Sequence, residues 1–140
     1  MSPVWRFLSV VLAVGSPLLS SCSDGILSPS QAQGVDWKLA SFQKRDQSIV
    51  TPPDSSRFTL RLDQNSALQV RADCNVCGGS YTLSGDALSV GLLACTRAFC
   101  ALTAPFDSEY ATALQRSHSL EVRKDALTLR SSDGTLRFVR

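Results

Sequence analysis

Four cysteines in the second half of the chain are the side chains best equipped for chemistry, arranged as Cys74-x-x-Cys77 and Cys95-x4-Cys100. Four thiolates can hold zinc tetrahedrally, and the gap between the two pairs lies in the range of zinc ribbons. The second pair departs from the commonest ligand spacing. A Cys-x-x-Cys can also exchange thiols, but that chemistry draws on a helix N-terminus to lower the thiol pKa. Here Asn75-Val76-Cys77-Gly78-Gly79 opens into a strand instead. The third use of such residues is two disulfides. The compartment decides among the three.

A fifth cysteine, Cys22, bears on that question. The stretch from Phe7 to Leu19 is apolar apart from Ser9, Gly15, Ser16 and Pro17, and Arg6 is the only charge before it. That is too short and too broken for a membrane-spanning helix of about 20 residues, and reads as a cleavable export signal over residues 1–21. It ends in Leu19-Ser20-Ser21-Cys22, which resembles the bacterial lipobox. The resemblance implies lipidation of Cys22, an anchor in the cell envelope and a membrane as partner. Ser23, rather than an aspartate, follows the anchor and is compatible with the outer membrane, facing the periplasm; Asp24 comes one residue too late for inner-membrane retention.

An even number of cysteines in an exported chain favours disulfides. Three pairings remain open. Bridges within each pair close only tight loops, whereas bridges between the pairs staple two regions about 20 residues apart. The favoured pairing is Cys74 with Cys100 and Cys77 with Cys95. The alternative is a cysteine-based zinc or thiol-redox protein of the envelope.

Other catalytic constellations are weak. The single histidine, His118, would have to serve any Ser/His or Cys/His site, and no nucleophile-elbow motif accompanies it; an exposed turn is its simpler explanation. Asp107 and Glu109 stand two apart on an expected helix, so they do not face each other. Gly78-Gly79 is too short to cradle a phosphate and reads as a turn. No catalytic residue, cofactor or resident metal is therefore expected. Without Arg6 the formal charge falls from +2 to +1, which excludes a strongly basic nucleic-acid binder.

The elements that position these residues follow from hydrophobic periodicity. Residues 22–34, rich in Ser, Gln, Gly and Pro, read as lipid anchor and flexible tether. From Val35 the pattern is period two: Trp37 and Leu39; Phe58, Leu60 and Leu62; Leu68, Val70 and Ala72; Tyr81 and Leu83; Leu88 and Val90; Leu120 and Val122; Leu127 and Leu129; Leu136 and Phe138. Pro52 and Pro53 mark residues 43–56 as loop despite Ile49 and Val50. Phe106, Tyr110, Ala113 and Leu114 instead fall on one helical face. The expected fold is mainly β (α+β): an antiparallel meander or small barrel of about six to eight short strands with one helix, forming one domain over residues 35–140. Closure would remove exposed edges. A barrel mouth near Asn75, Tyr81 and the bridged loops offers a binding site. Arg57, Arg61 and Arg71 offer a modest cationic patch, or simply a solvated face.

With these residues in place the domain resembles the META or HslJ family of bacterial envelope proteins. The resemblance is carried by Trp37-Lys38-Leu39, Phe58-Thr59-Leu60-Arg61-Leu62, Cys74-Asn75 with Gly79-Ser80-Tyr81, and Leu88. Thr96-Arg97-Ala98-Phe99-Cys100, Tyr110 and Leu114, and Leu127-Thr128-Leu129 with Gly134 and Phe138 complete it. It implies a compact β-rich domain, often lipid-anchored, associated with envelope stress or antibiotic tolerance and carrying no catalytic residues. Trp37, Asn75, Tyr81 and Thr96 match it in structural roles. The chain departs from it in two ways: Asp73 stands where the family usually has glycine, and Cys77 and Cys95 are additional. An envelope protein or a small ligand is the expected further partner.

Overall fold

The computed structural model describes residues 25–140; the expected signal peptide and Cys22 lie outside the described residues. Eight strands carry the period-two segments: β2 (Asp36–Lys44), β4 (Phe58–Leu62), β5 (Ala67–Ala72), β6 (Asn75–Ser84), β7 (Ala87–Val90), β9 (Ser117–Arg123), β10 (Ala126–Ser131) and β11 (Gly134–Val139). Three two-residue strands, β1 (Ile26–Leu27), β3 (Ile49–Val50) and β8 (Ala94–Cys95), lie beside them. The eight longer strands form a closed antiparallel ring in the order β9-β10-β11-β2-β4-β5-β6-β7, returning to β9. Closure follows from the alternation. Phe58, Leu60 and Leu62 point inward on β4, facing Ala72, Val70 and Leu68 across the ladder on β5, and all six are buried.

The seam of the ring is narrow. β7 meets β9 at Ala87 and Ser119, supported by the Leu120 amide donating to Asp86 O at 2.9 Å. Beyond that pair, β1 takes up the same side of β9, with Ile26 opposite Arg123 and Leu27 opposite Val122. A segment preceding the expected domain thus completes its wall.

Both ends of the barrel are covered. The helix α1 (Phe106–Gln115) touches β5 and β10, which stand opposite each other in the ring, so it must lie across one end. Its buried residues are Phe106, Tyr110, Ala113 and Leu114, the face expected from their spacing. Tyr110 reaches Phe58 edge-on at 5.5 Å between ring centroids. At the other end a 3-10 turn, Pro29–Ala32, inserts Ala32 into the core. Trp37 Nε1 donates to Ala32 O at 2.9 Å, and the Arg140 guanidinium lies 5.5 Å above the Trp37 ring.

Two expectations about segments are corrected here. Residues 26–34 are not a free tether: strand β1, the Ala32 plug and the Gly34 amide donating to Leu62 O at 2.8 Å bind them to the barrel. Their polar composition concealed this, because only Ala32 is fully buried and only Leu27 packs against the core beside it. Residues 43–56 are not wholly loop either. β2 runs on to Lys44, and Ile49–Val50 folds back against Phe42 and Gln43. Edge pairing of this kind needs no proline-free run beyond the two residues themselves.

The buried Tyr110 hydroxyl has no hydrogen-bond partner among the described residues, and burial alone pushes its pKa well up. An unfolded tyrosine ionises near pH 10. The folded state therefore loses stability as pH rises above about 10, where only the unfolded chain can release that proton. Tyr110→Phe is expected to raise stability at pH 7 by about 1 kcal/mol, by removing an unsatisfied polar group, and to weaken the loss at alkaline pH. Urea unfolding at both pH values reads this directly; a destabilised variant would mean that the hydroxyl is satisfied.

Candidate functional site

At the helix end of the barrel, β5 turns sharply into β6. Asp73 makes the turn with φ of +56°, in the left-handed region that favours glycine. This accounts for the glycine usual in the resembled pattern. Aspartate tolerates the conformation, and its carboxylate is used: Arg57 Nε and Thr103 Oγ1 both donate to it, the latter at 2.6 Å. The Asp73 amide donates to Arg57 O at 2.7 Å. A half-exposed arginine, a buried acid and a distant loop are thereby joined at one residue.

The following residues fasten residues 91–104 to the barrel wall. Disulfides join Cys74 to Cys100 and Cys77 to Cys95, spanning 26 and 18 residues of sequence. Cys77 and Cys95 are opposite each other on β6 and β8. Between the bridges sits Asn75. Its Oδ1 accepts from the Ala98 amide at 2.8 Å and from Thr96 Oγ1 at 3.0 Å, while its Nδ2 donates to Ala98 O at 3.0 Å. Thr96 Oγ1 in turn accepts from the Val76 amide at 3.0 Å. One side chain thus satisfies both main-chain groups of Ala98 in a stretch that has no sheet partner there. With each of the four sulfurs in a covalent bond, no thiolates are left for zinc or exchange.

Gly78-Gly79 is part of β6, which corrects its reading as a turn. A Cβ on Gly79 would stand 2.9 Å from Leu93 Cδ2 and 3.0 Å from Leu92 O, so a bare backbone lets the incoming loop pass close to β6 on the face that Gly79 shares with Cys77 and Tyr81. The loop and α1 then enclose an open groove of about 800 Å³, lined among others by Leu93, Thr96, Phe99, Asp107, Ala111 and Gln115. Gln115 Oε1 accepts from the Leu93 amide at 3.1 Å and ties the helix to the loop. Above the groove the loop turns large apolar side chains outward: Leu92 is 85% exposed, Phe99 83% and Leu102 93%. Each lies within or next to residues fixed by the bridges. Exposed apolar groups on such a braced segment are the most conspicuous surface feature of the described residues.

The expected site residues are not brought together. Asn75 and Thr96 join at the loop, but Tyr81 lies six residues further along β6, about 20 Å away at strand rise. There it accepts from Gln33 Nε2 at 2.7 Å and donates to Asp63 O at 2.6 Å, helping to hold the Pro29–Ala32 plug. Trp37 is buried beside that plug. The expected cationic patch is largely neutralised: Arg57 pairs with Asp73 and Arg61 with Asp36 and Asp63, while Arg71 Nε donates to the main-chain Asp73 O and keeps its charge. Asp63 is held below the usual carboxylate pKa, chiefly by the hydrogen bond from Arg61. Glu109 pairs with Lys44 at 2.6 Å and Asp107 approaches Asn75, so the two acids serve different contacts. His118 lies exposed on β9 rather than in a turn. Among the described residues, no three metal-binding side chains are grouped. Leu92 and Leu102 went unnoticed in sequence because neither belongs to a periodic run.

A family model described as the META domain matches residues 30–140. The chain belongs to the META domain family. The match begins five residues before the expected domain start and takes in most of the 3-10 plug, consistent with that plug being part of the fold. A protein from Burkholderia xenovorans, solved by NMR, is similar in structure, with a TM-score of 0.65, 22% identity and 98% of each chain covered. A second NMR structure has a TM-score of 0.62 at 20% identity over 81% of this chain and 94% of its own. A DUF4847 family protein from Bacteroides vulgatus has a TM-score of 0.56 at 10% identity, covering 77% and 93%. At these identities the likeness is one of fold. No curated protein matches the chain. A META barrel with a braced loop fits a non-catalytic module.

Asn75→Ala would orphan both main-chain groups of Ala98 and is expected to cost about 3 kcal/mol, whereas Thr96→Val, which removes one hydroxyl, should cost about 1 kcal/mol. Urea unfolding of the oxidised protein measures both. Equal, small losses would show that the disulfides alone position the loop.

Proposed function

We propose that this META domain protein is a non-catalytic lipoprotein of the cell envelope, acting through its braced apolar loop as an interaction module in envelope stress or antibiotic tolerance. The observation that carries the reading is the outward display of Leu92, Phe99 and Leu102 on a segment bound by two disulfides. Exposing apolar surface to water costs roughly 25 cal/mol per Å² relative to burying it. A fold that spends two covalent bonds on fixing them outward is organised for contact with another molecule, and an apolar segment of a second envelope protein is the partner of matching chemistry. Two disulfides also suit an oxidising compartment. Leu19-Ser20-Ser21-Cys22 supplies the means of reaching and staying in it, and Ser23 favours the outer membrane, facing the periplasm.

Fractionation of cells expressing the full chain or its Cys22→Ala variant tests the anchoring. The parent should pellet with membranes and take up labelled palmitate; the variant should lose the label and leave the membrane fraction. Equal retention of both would overturn the reading. The interaction role is tested by Phe99→Asp with Leu102→Asp. Both side chains are exposed, so stability should change by no more than about 0.5 kcal/mol per site, while rescue of a deletion strain under envelope challenge is lost. Full rescue by a stably accumulated variant would remove the loop from the function.

A further inference from the structure

The position of β1 sets how far the barrel can stand from its anchor. Cys22 precedes Ile26 by four residues, and a fully extended chain spans at most about 3.6 Å per residue, so Ile26 lies within about 14 Å of an acylated Cys22. A free coil of 12 residues would have a root-mean-square span of about 19 Å and far greater reach. Ile26 is not free to extend the tether. It pairs with Arg123 at the end of β9, on the rim that carries the Trp37 plug.

The bridged loop lies at the opposite rim. β6 begins at Asn75 beside the disulfides and ends at Ser84 on the Trp37 side. Nine steps of about 3.3 Å, at the strand tilt of about 45° found in small barrels, separate the two rims by about 20 Å along the barrel axis. Polar headgroups add only about 5–7 Å to each face of the hydrocarbon core. A 14 Å link therefore leaves the plugged rim against the headgroup layer.

We propose that, once Cys22 is acylated, the barrel rests on the lipid headgroups by its Trp37 rim and holds Phe99 and Leu102 pointing away from the membrane. This rests on the anchoring reading and assigns a direction to it: the apolar loop faces a partner in the aqueous space and does not insert into the bilayer that carries the anchor.

The mature lipoprotein, made from the full chain and reconstituted into phosphatidylethanolamine–phosphatidylglycerol vesicles, allows a direct test. A fluorescent amino acid is placed either at Asp125, on the plugged rim, or at Leu102, on the loop, and quenched by headgroup spin-labelled lipid. Intact mass first establishes the acyl chains; their absence would overturn the anchoring itself. With acylation present, quenching should be severalfold greater at residue 125 than at 102. Equal or reversed quenching would overturn the orientation alone. Inserting 12 Gly/Ser residues between Asp24 and Gly25 should erase the contrast, and an undiminished contrast would show that the short link is not its cause.

Discussion

The left-handed turn at Asp73 is the constraint on which the helix end of this protein depends. It reverses β5 into β6 within two residues and places Cys74, Asn75 and Cys77 where they can meet an incoming loop. Without the turn, Ala72 and Asn75 could not pair, and Cys74 could not reach Cys100. The turn in turn depends on groups remote in sequence. Arg57 approaches from the start of β4 and Thr103 from the far end of the loop, and both bond the same carboxylate. Glycine would adopt the backbone more readily, but it would offer no acceptor for either donor.

From that junction the chemistry of the loop is one of attachment. Nothing periodic in residues 91–104 could bury an apolar face. Their order comes instead from two covalent bridges, from Asn75 satisfying both groups of Ala98, and from Gly79 yielding space to Leu92 and Leu93. On the loop-entropy model each bridge contributes about 3 kcal/mol. Together they tie residues 91–104 to the start of β6 at two points. A rigid loop also loses less entropy on meeting a partner than a mobile one. The barrel supplies a platform with both ends covered.

The sequence reveals the ring and hides its accessories. A closed barrel has one inside and one outside, so strict alternation in Phe58–Leu62 and Ala67–Ala72 is legible without a structure. The α1 face is equally plain, because Phe106, Tyr110, Ala113 and Leu114 recur at helical spacing. The plug is not: Ala32 contributes one methyl group, and its neighbours Pro29, Ser30 and Gln31 resemble a linker. β1 and β3 are too short to show a period. The arginines misled for a different reason. Arg61 stands on the outer face of β4 as expected and Arg57 in the 3-10 turn just before it, but their partners Asp36 and Asp73 come from other segments, and such pairing has no signature in a single sequence. The loop failed the same way, since exposed apolar residues without period carry no local signal.

Two specific disulfides hold the loop to β6. Peptide mapping of the oxidised protein without reduction tests it most directly, with fragmentation that separates Cys74 from Cys77, because no basic residue lies between them. Links of Cys74 to Cys100 and Cys77 to Cys95 are expected, with none of these four residues reactive as a thiol after unfolding. Other links, or four thiols released on unfolding, would contradict it.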